Sequence, residues 1–363
     1  MSTTSRTEIP LDSLNMLAAA AALPEQVTGV LSQTWGFGNL PEHDEVEHVV
    51  VIGMGGSGIA GEVLAAAAGP YMAVPVMVFK SYNVPAFLGE GSLVFAVSFS
   101  GDTEETVEAV TEAALQGAKV VAVTTGGQLA DLAEAWGAPV VRVPADIPQP
   151  RAAIGALSVP PMLVLEEIGL FPGARHWVEA AAEQLGKRRD ELVQPGNQAE
   201  TLARRIGRTI PVVHGGGGLG AVAAHRWKTQ VNENAKAPAF WNAQPEICHN
   251  EIAGWGQHGD LTRQAFTLVN LRHDFEHPQV MHRFGITRGL LDEVVANICD
   301  VQAEGDGELA QLLDLIMMGD FTSTHLALQQ GVDPGPVPAI DMIKTALATS
   351  TGQEPSAEGA SSS

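Results

Sequence analysis

The chain has 363 residues, of which 45% are hydrophobic and 17% charged, enough apolar sequence for two buried cores of ordinary size. The formal net charge of −22 argues against a nucleic-acid partner, because phosphate backbones bind basic protein faces. No apolar run is long enough to cross a membrane, and the N-terminus lacks the pattern of a secretory signal. Because the only cysteines are Cys248 and Cys299, we expect a reducing, cytoplasmic location and no disulfide framework.

The hydrophobic pattern predicts two α/β domains in tandem. Runs of β-branched residues alternate with helical patterns, which is typical of a parallel β-sheet flanked by helices on both faces. The predicted parts are an N-terminal helical segment (1–40), a first domain (41–150), a helical bridge (151–205), a second domain with a C-terminal helix (206–350) and a disordered tail (351–363).

The predicted elements of the first domain are strands at 49–52, 74–79, 93–97, 120–124 and 140–143 and helices at 59–68, 104–116 and 129–135. The bridge is helical from 152 to 205, with breaks at 170–173 and 194–196. The predicted elements of the second domain are strands at 210–214, 265–271 and 293–301 and helices at 219–236 and 308–330. The stretch from 243 to 249 is interpreted as irregular.

The first strand runs into a glycine-rich turn, GMGGSG at 53–58, and then into a helix. The free N–H groups at the helix start and the positive end of its dipole form an anion site, to which Ser57 adds a hydroxyl donor. A tight turn that binds nothing is one alternative. A dinucleotide site is another, because Gly53, Gly55 and Gly58 match that fingerprint. It is disfavoured because no acidic residue ends the next strand, where 78–82 read VFKSY.

A second strand, at 93–97, also ends in hydroxyl residues before a helix. These residues are Ser98, Ser100 and Thr103. They could serve only to cap the helix, where Asp102 and Glu105 could also form a capping pair. The C-terminal ends of parallel strands are where ligands bind, however, and Ser57 is predicted at the same sheet edge. Four hydroxyls at two helix starts would suit a phosphate monoester.

Two later stretches carry candidates for acid–base chemistry. Arg226, Gln230 and Glu233 would share one helix face, where Glu233 could act as a general base; a solvated charged helix is the alternative. His249 follows in PEICHNEIAGW at 245–255, where it could equally be a core histidine. A third group, His273, His277 and His282, lacks the spacing of a metal-binding helix because Pro278 interrupts it. We therefore predict no metal and no cofactor.

These stretches together resemble the bifunctional phosphoglucose/phosphomannose isomerase family, whose chains contain two sugar-isomerase (SIS) domains. The matching segments are GMGGSG (53–58), SFSGDTEET (98–106), PRAAIG (150–155), RWKTQ (226–230), NENAK (232–236), HNEI (249–252), DP (333–334) and IDMIK (340–344). They follow the family's order and cover roughly 49–347. The first two also occur in non-catalytic SIS sensors, whereas the combination of Glu233 and His249 is specific to the isomerases.

The resemblance implies an α/β fold of two tandem SIS domains that isomerises glucose 6-phosphate, mannose 6-phosphate or both to fructose 6-phosphate. It implies that the substrate phosphate is held by Gly55, Gly56, Ser57, Ser98, Ser100 and Thr103. Glu233 would move the proton between C1 and C2, Arg151 would stabilise the enediolate, and His249 and Lys344 would assist ring opening. It also implies a homodimer in which each site takes Glu233 from one subunit and His249 from the other.

Two other functions compete with this interpretation. A regulatory SIS protein that senses a sugar phosphate would need the phosphate cradle but not Glu233, Arg151 or His249. An amidotransferase-type sugar isomerase would need a separate ammonia-generating domain. One departure from the family concerns the turn DPGPV at 333–337, where members carry a hydroxyl residue, and this leaves the epimer preference open. The second glycine run, 215–218, is expected to be a turn without ligand.

Overall fold

The computed structural model describes residues 11–33 and 38–351 and contains two parallel β-sheets flanked by helices. The predicted fold class is therefore confirmed. Both sheets fall within the predicted domains of 41–150 and 206–350, whose boundaries themselves stay predictions. Thr351 ends the last helix, and the remainder of the predicted tail lies outside the described residues. Among the helices of the described chain, none is both long and apolar enough to span a membrane.

Two short helices precede the first sheet, as predicted. They are α1 (Met16–Ala21) and α2 (Leu23–Ser32). The first sheet is formed by β1 (His48–Ile52), β2 (Val76–Phe79), β3 (Ser92–Val97), β4 (Lys119–Thr124) and β5 (Val140–Arg142). The strands are all parallel in the order β2-β1-β3-β4-β5. The helices between them are α3 (Gly55–Ala67), α4 (Glu104–Leu115) and α5 (Gly127–Ala135). Every residue of the central β3 is buried, which explains its continuous apolar sequence.

The helical bridge consists of three helices with breaks where the sequence predicted them. The helices are α6 (Ile154–Ile168), α7 (Ala174–Leu192) and α8 (Gln198–Ile206). Gly169 and Gly173 adopt φ angles of 90° and 87°, which non-glycine residues rarely adopt, and they separate α6 from α7. Short 3-10 helices lie at His43–Glu45, Gly69–Tyr71, Pro150–Ala152, Glu246–His249 and Glu251–Gly254.

The second sheet is also parallel, in the order β7-β6-β8-β9. Its strands are β6 (Ile210–Gly216), β7 (Phe240–Gln244), β8 (Phe266–Arg272) and β9 (Asn297–Gln302). The helices of this half are α9 (Gly217–Asn234), α10 (Gly259–Ala265), α11 (Pro278–Leu291), α12 (Glu308–Gln329) and α13 (Pro338–Thr351). The α9 helix packs against α3 of the first half and against α12, so the helices between the sheets form one continuous core.

Three features of the second half differ from the sequence prediction. The β7 strand (Phe240–Gln244) ends inside the stretch 243–249 that was interpreted as irregular. The first two residues of β7 are exposed at the sheet edge, so the strand lacks a buried apolar pattern. Pro278 does not interrupt a helix but is the first residue of α11, where its missing N–H has no intrahelical partner to lose. The last strand begins at Asn297, not near 293, because the Val294 N–H still bonds to the Leu291 carbonyl at the end of α11.

A buried ion pair joins the helical bridge to α12. The Arg188 guanidinium donates from Nε and Nη2 to the two carboxylate oxygens of Asp314 at 2.7 and 2.9 Å. Gln184 and the Glu304 backbone N–H also donate to this carboxylate, at 3.0 Å each. Burial alone lowers the pKa of Arg188, but the bonds and charge of Asp314 raise it above its usual range. The bridge is therefore fixed to the second half by a fully paired charge.

Candidate active site

The glycine-rich turn after β1 brings the start of α3 against a distant part of the chain. A Cβ at Gly53 would lie 2.7 Å from the Val97 carbonyl oxygen of β3, so only glycine allows this approach. A Cβ at Gly56 would lie 3.4 Å from the Cα of Arg151. Gly55 has a φ of 51°, Ser57 is buried, and no side chain caps α3. The first N–H groups of α3 are thus left for another partner, next to Arg151.

The hydroxyl residues after β3 divide into one that supports the loop and two that are more accessible. The Ser98 hydroxyl is fully buried; it accepts from the Gly101 N–H at 3.1 Å and lies 3.0 Å from the Thr103 hydroxyl. Ser100 is exposed and Thr103 half-buried. Gly101 adopts a φ of 80°. The loop is therefore pre-shaped by Ser98, and the assignment of all three hydroxyls to phosphate binding stays a prediction.

The predicted capping pair of Asp102 and Glu105 is not formed. Thr103 is the residue that precedes α4, and it makes no side-chain capping bond. The Asp102 carboxylate instead accepts from the Gln128 N–H at 2.9 Å, in the first turn of α5. Asp102 therefore connects the loop after β3 to the next helix start and does not cap its own helix.

Arg151 is the most tightly bound of the predicted catalytic residues. It lies in the 3-10 helix Pro150–Ala152 and is only 3% exposed. Its Nε donates to the Asn234 side-chain oxygen at 2.8 Å, and Nη1 donates to the Gln149 side chain at 3.1 Å. Its Nη2 donates to the Pro334 and Gly335 carbonyls at 2.6 and 2.7 Å. Burial lowers the pKa of Arg151, an effect that the nearby negative charge of Glu233 opposes.

Glu233 lies beside the part of Arg151 that makes no hydrogen bond to the described residues. A guanidinium has five N–H donors, and four of those of Arg151 are engaged by the partners above. The fifth is on Nη1, and this nitrogen lies 3.6 Å from a carboxylate oxygen of Glu233. The Glu233 side chain, in the last turn of α9, is 27% exposed. A solvent-accessible carboxylate and a buried cation therefore share one face, next to the start of α3.

A second buried arginine, Arg226, bonds to the backbone of Arg151. Arg226 donates to the Arg151 carbonyl and, through Nε and Nη2, to the two carboxylate oxygens of Asp320 at 3.1 and 3.0 Å. Gln230 also donates to Asp320, at 2.7 Å. Three residues were predicted to share a face of α9. Arg226 and Gln230 are buried and bond to Asp320, whereas Glu233 is partly exposed to solvent.

Lys236 ends the motif NENAK and also lies at the site, although no role was predicted for it. Its ammonium donates to the backbone carbonyls of Asn234, Asp333 and Pro334 at 3.3, 2.7 and 3.1 Å. Burial, followed by the positive charge of Arg151, lowers the pKa of Lys236 to about 8. Its position three residues after Glu233 in the same short motif was the available sequence signal.

The structure does not bring His249 and Lys344 to Arg151 and Glu233 through any bond. Both residues are exposed, and neither side chain has a hydrogen bond or ion pair with the described part of the chain. The segment of His249 is nevertheless well anchored, because Ile247 is fully buried and Glu251 bonds to His214 at 2.8 Å. Burial raises the pKa of Glu251, but the bond and charge of His214 together with the bonds from Asn242 and Trp255 hold this pKa below its usual value. His249 is thus presented on a fixed surface segment.

The second glycine run lies against a carboxylate of the protein itself. A Cβ at Gly216 would lie 2.8 Å from a carboxylate oxygen of Glu276, which is buried and paired with Arg272 at 2.7 Å. The His273 Nε2 lies 2.7 Å from the Gly216 carbonyl. Gly215 and Gly216 end β6 and Gly217 begins α9, so the run is a direct junction between a strand and a helix and not a separate turn. The expectation that it binds no ligand stays a prediction. The contact of His273 accounts for one of the three histidines considered for a metal.

Comparisons with known proteins identify the family. The SIS domain model matches residues 44–136, and the model of the bacterial phospho-glucose isomerase C-terminal SIS domain matches residues 196–347. A bifunctional phosphoglucose/phosphomannose isomerase from Caldicellulosiruptor bescii is 34% identical over 337 residues, covering 92% of this chain and 99% of the relative. The chain belongs to this isomerase family. The family member from Aquifex aeolicus is also 34% identical, over 82% of this chain and 90% of its own, so the resemblance seen in the sequence is confirmed.

Solved structures show the same fold at lower identity. A glucose-6-phosphate isomerase like protein from Thermus thermophilus has a TM-score of 0.59 at 19% identity, covering 92% of this chain and 95% of that one. The C-terminal domain of glucosamine-fructose-6-phosphate aminotransferase from Francisella tularensis has a TM-score of 0.64 at 15% identity, covering 89% and 97%. The arrangement of the two sheets is thus found in other proteins that are named for sugar phosphates.

The loop after β3 can be tested through its glycine. At Gly101 a Cβ would lie 1.8 Å from the Gly126 carbonyl oxygen, and the φ of 80° is strained for alanine. We expect Gly101→Ala to lower the free energy of unfolding by about 2 kcal/mol or more in urea denaturation. The matched control is Gly186→Ala in α7, where a Cβ has open space and should raise stability by about 0.5–1 kcal/mol. Equal stability of Gly101→Ala and the parent protein would contradict this account of the loop.

Proposed function

We propose that this protein interconverts glucose 6-phosphate, mannose 6-phosphate or both with fructose 6-phosphate by proton transfer through an enediolate. The observation that carries the proposal is the pair of Glu233 and Arg151, with a carboxylate oxygen 3.6 Å from a buried guanidinium nitrogen. Aldose–ketose isomerisation needs one positioned base and one group that stabilises developing negative charge on oxygen. Family membership supports the same reaction and disfavours the sensor alternative.

The start of α3 and the loop after β3 would hold the substrate phosphate. The proposed ligands are the backbone of Gly55 and Gly56 and the hydroxyls of Ser57, Ser98, Ser100 and Thr103. Free N–H groups at a helix start attract an anion through their partial charges and the helix dipole. Such local donors would allow a chain of net charge −22 to bind a phosphate without a broad basic surface.

With the phosphate held there, C1 and C2 of the open-chain sugar would lie against the open face that Glu233 and Arg151 share. Glu233 removes the proton from C2 of the aldose, and the free N–H of Arg151 stabilises the resulting enediolate oxygen. Glu233 then returns a proton to C1. The net reaction moves one hydrogen from C2 to C1 and one hydroxyl proton from O2 to O1, so that atoms and charges balance.

We also propose that the active form is a homodimer with shared sites. The exposure of His249 on a firmly anchored segment supports this, because such a residue can serve a neighbouring subunit. The exposure of Lys344 on α13 is consistent with a similar arrangement. In a two-fold dimer each contact occurs twice, so both sites would be completed at once.

We also propose a cytoplasmic location. Cys248 and Cys299 are both free thiols, which is consistent with a reducing compartment.

The proposed substrates are glucose 6-phosphate, mannose 6-phosphate or both. The turn that departs from the family pattern has no room for a side chain at Gly335, because a Cβ there would lie 2.8 Å from the Cγ of Leu14. The Pro334 and Gly335 carbonyls are already engaged by Arg151. This part of the site would therefore contribute structure and no hydroxyl group to the choice between epimers.

The base can be tested by Glu233→Gln. The amide is nearly isosteric but cannot accept the C2 proton, so we expect turnover to fall by about 10²- to 10⁴-fold with both hexose phosphates. Competitive inhibition by inorganic phosphate should stay unchanged, because the phosphate ligands are intact. Glu183→Gln, at an exposed pair with Lys187, is the control and should retain full turnover. Wild-type turnover in Glu233→Gln would rule Glu233 out as the base.

The shared site can be tested by mixing two inactive variants, Glu233→Gln and His249→Asn, through co-expression. With random pairing half of the dimers are mixed, and each mixed dimer has one intact site, so about a quarter of wild-type activity should return. If each subunit builds its own site, every site has one defect and no activity returns. Mixed dimers that form but remain inactive would overturn the shared site and leave the isomerase proposal standing.

A further inference from the structure

Two cations hold the same turn between α12 and α13. Lys236 donates to the Asp333 and Pro334 carbonyls at 2.7 and 3.1 Å. Arg151 donates to the Pro334 and Gly335 carbonyls at 2.6 and 2.7 Å. The Pro334 carbonyl therefore accepts from both cations, which brings two positive charges close together. Such an arrangement is unfavourable unless the shared acceptors compensate for it.

The other contacts of this turn come mainly from Asp333. Its carboxylate accepts from the Gly335 N–H at 2.9 Å and from the Ser13 N–H at 3.3 Å. Leu14 packs against Gly335. The Pro334 and Gly335 carbonyls orient the Arg151 guanidinium. Without Lys236, the contacts of Asp333 and Leu14 alone would hold the two carbonyls in place. The position of the catalytic cation thus depends on a segment that Lys236 secures.

Lys236 itself has no donor left for a substrate. An ammonium has three N–H groups, and three backbone carbonyls accept from Lys236, the third being that of Asn234 at 3.3 Å. The charged groups that face it are Arg151, Glu233 and Asp333, all described above. A role through substrate contact is therefore less consistent with the geometry than a role through Arg151.

We propose that Lys236 is a positioning residue that fixes the 333–335 turn and thereby holds the free N–H of Arg151 beside Glu233. The expected effect on turnover rests on the proposed function. The fixing of the 333–335 turn by Lys236 does not. The energetic consequence is expected in the transition state, where a small displacement of the stabilising cation costs more than in the bound substrate.

The experiment compares Lys236→Met, Lys236→Arg and the exposed control Lys187→Met. We expect Lys236→Met to lower kcat by about 10- to 100-fold and to leave the inhibition constant of inorganic phosphate within about twofold. Lys236→Arg should restore part of kcat because it keeps the charge and the donors. Lys187→Met should behave as the parent protein. A loss confined to phosphate affinity would overturn the proposal.

A double-mutant cycle with Arg151→Met separates action through Arg151 from independent action. If Lys236 acts through Arg151, adding Lys236→Met to Arg151→Met should lower kcat by no more than about twofold. A second loss as large as the first would contradict the proposal. The thermal midpoint of each variant shows whether the fold is retained.

Hydrogen exchange at the Gly335 amide, which donates to the Asp333 carboxylate, supplies a readout that needs no activity. Lys236→Met should accelerate exchange at this amide, whereas Lys187→Met should not. Unchanged exchange in Lys236→Met would overturn the proposal whatever the turnover. If the parent protein isomerised neither hexose phosphate but exchange accelerated in Lys236→Met, the proposed function would be wrong, and the role of Lys236 in fixing the 333–335 turn would be retained.

Discussion

The site depends on the buried guanidinium of Arg151, which three separate parts of the chain hold in place. Asn234 comes from the end of α9, Gln149 from the loop before the 3-10 helix, and Pro334 and Gly335 from the turn after α12. An unpaired buried charge would cost several kcal/mol, so each of these acceptors is required for the cation to stay where it is. The same requirement leaves only one N–H free, and that N–H is on the nitrogen nearest Glu233.

The surrounding charges explain how a strongly acidic chain keeps a positive site. Arg226 lies under Arg151, but its charge is matched by the two oxygens of Asp320. Burial, followed by the positive charge of Arg151, lowers the pKa of Lys236 to about 8. The guanidinium of Arg151 therefore lies beside the start of α3, where the positive end of the helix dipole adds to its charge. In the second half the corresponding helix start lies near Glu276, a carboxylate of the protein itself, so the two halves differ in charge at equivalent turns.

Much of the fold could be predicted from the sequence because its signals are local. Buried strands such as β3 are apolar along almost their whole length, and the glycine-rich turn at 53–58 is set by close backbone contacts. The edge strand β7 was missed because exposed residues begin it. The role of Lys236 was missed because its acceptor at Asp333 is 97 residues away in the chain. The importance of Arg151 came from family resemblance alone, since no local pattern indicates that Asn234 and Gly335 converge on it.

The central claim is that Glu233 transfers a proton between C1 and C2 while Arg151 stabilises the enediolate. The most direct measurement is isomerisation in D2O, followed by NMR of the recovered sugar phosphates. A carboxylate that carries the proton exchanges it with solvent during at least some turnovers, so deuterium should appear at C2 of the aldose and at C1 of fructose 6-phosphate. If the sugars reach equilibrium and, after many further turnovers, contain no deuterium at either carbon, the hydrogen moves as hydride and the account is contradicted.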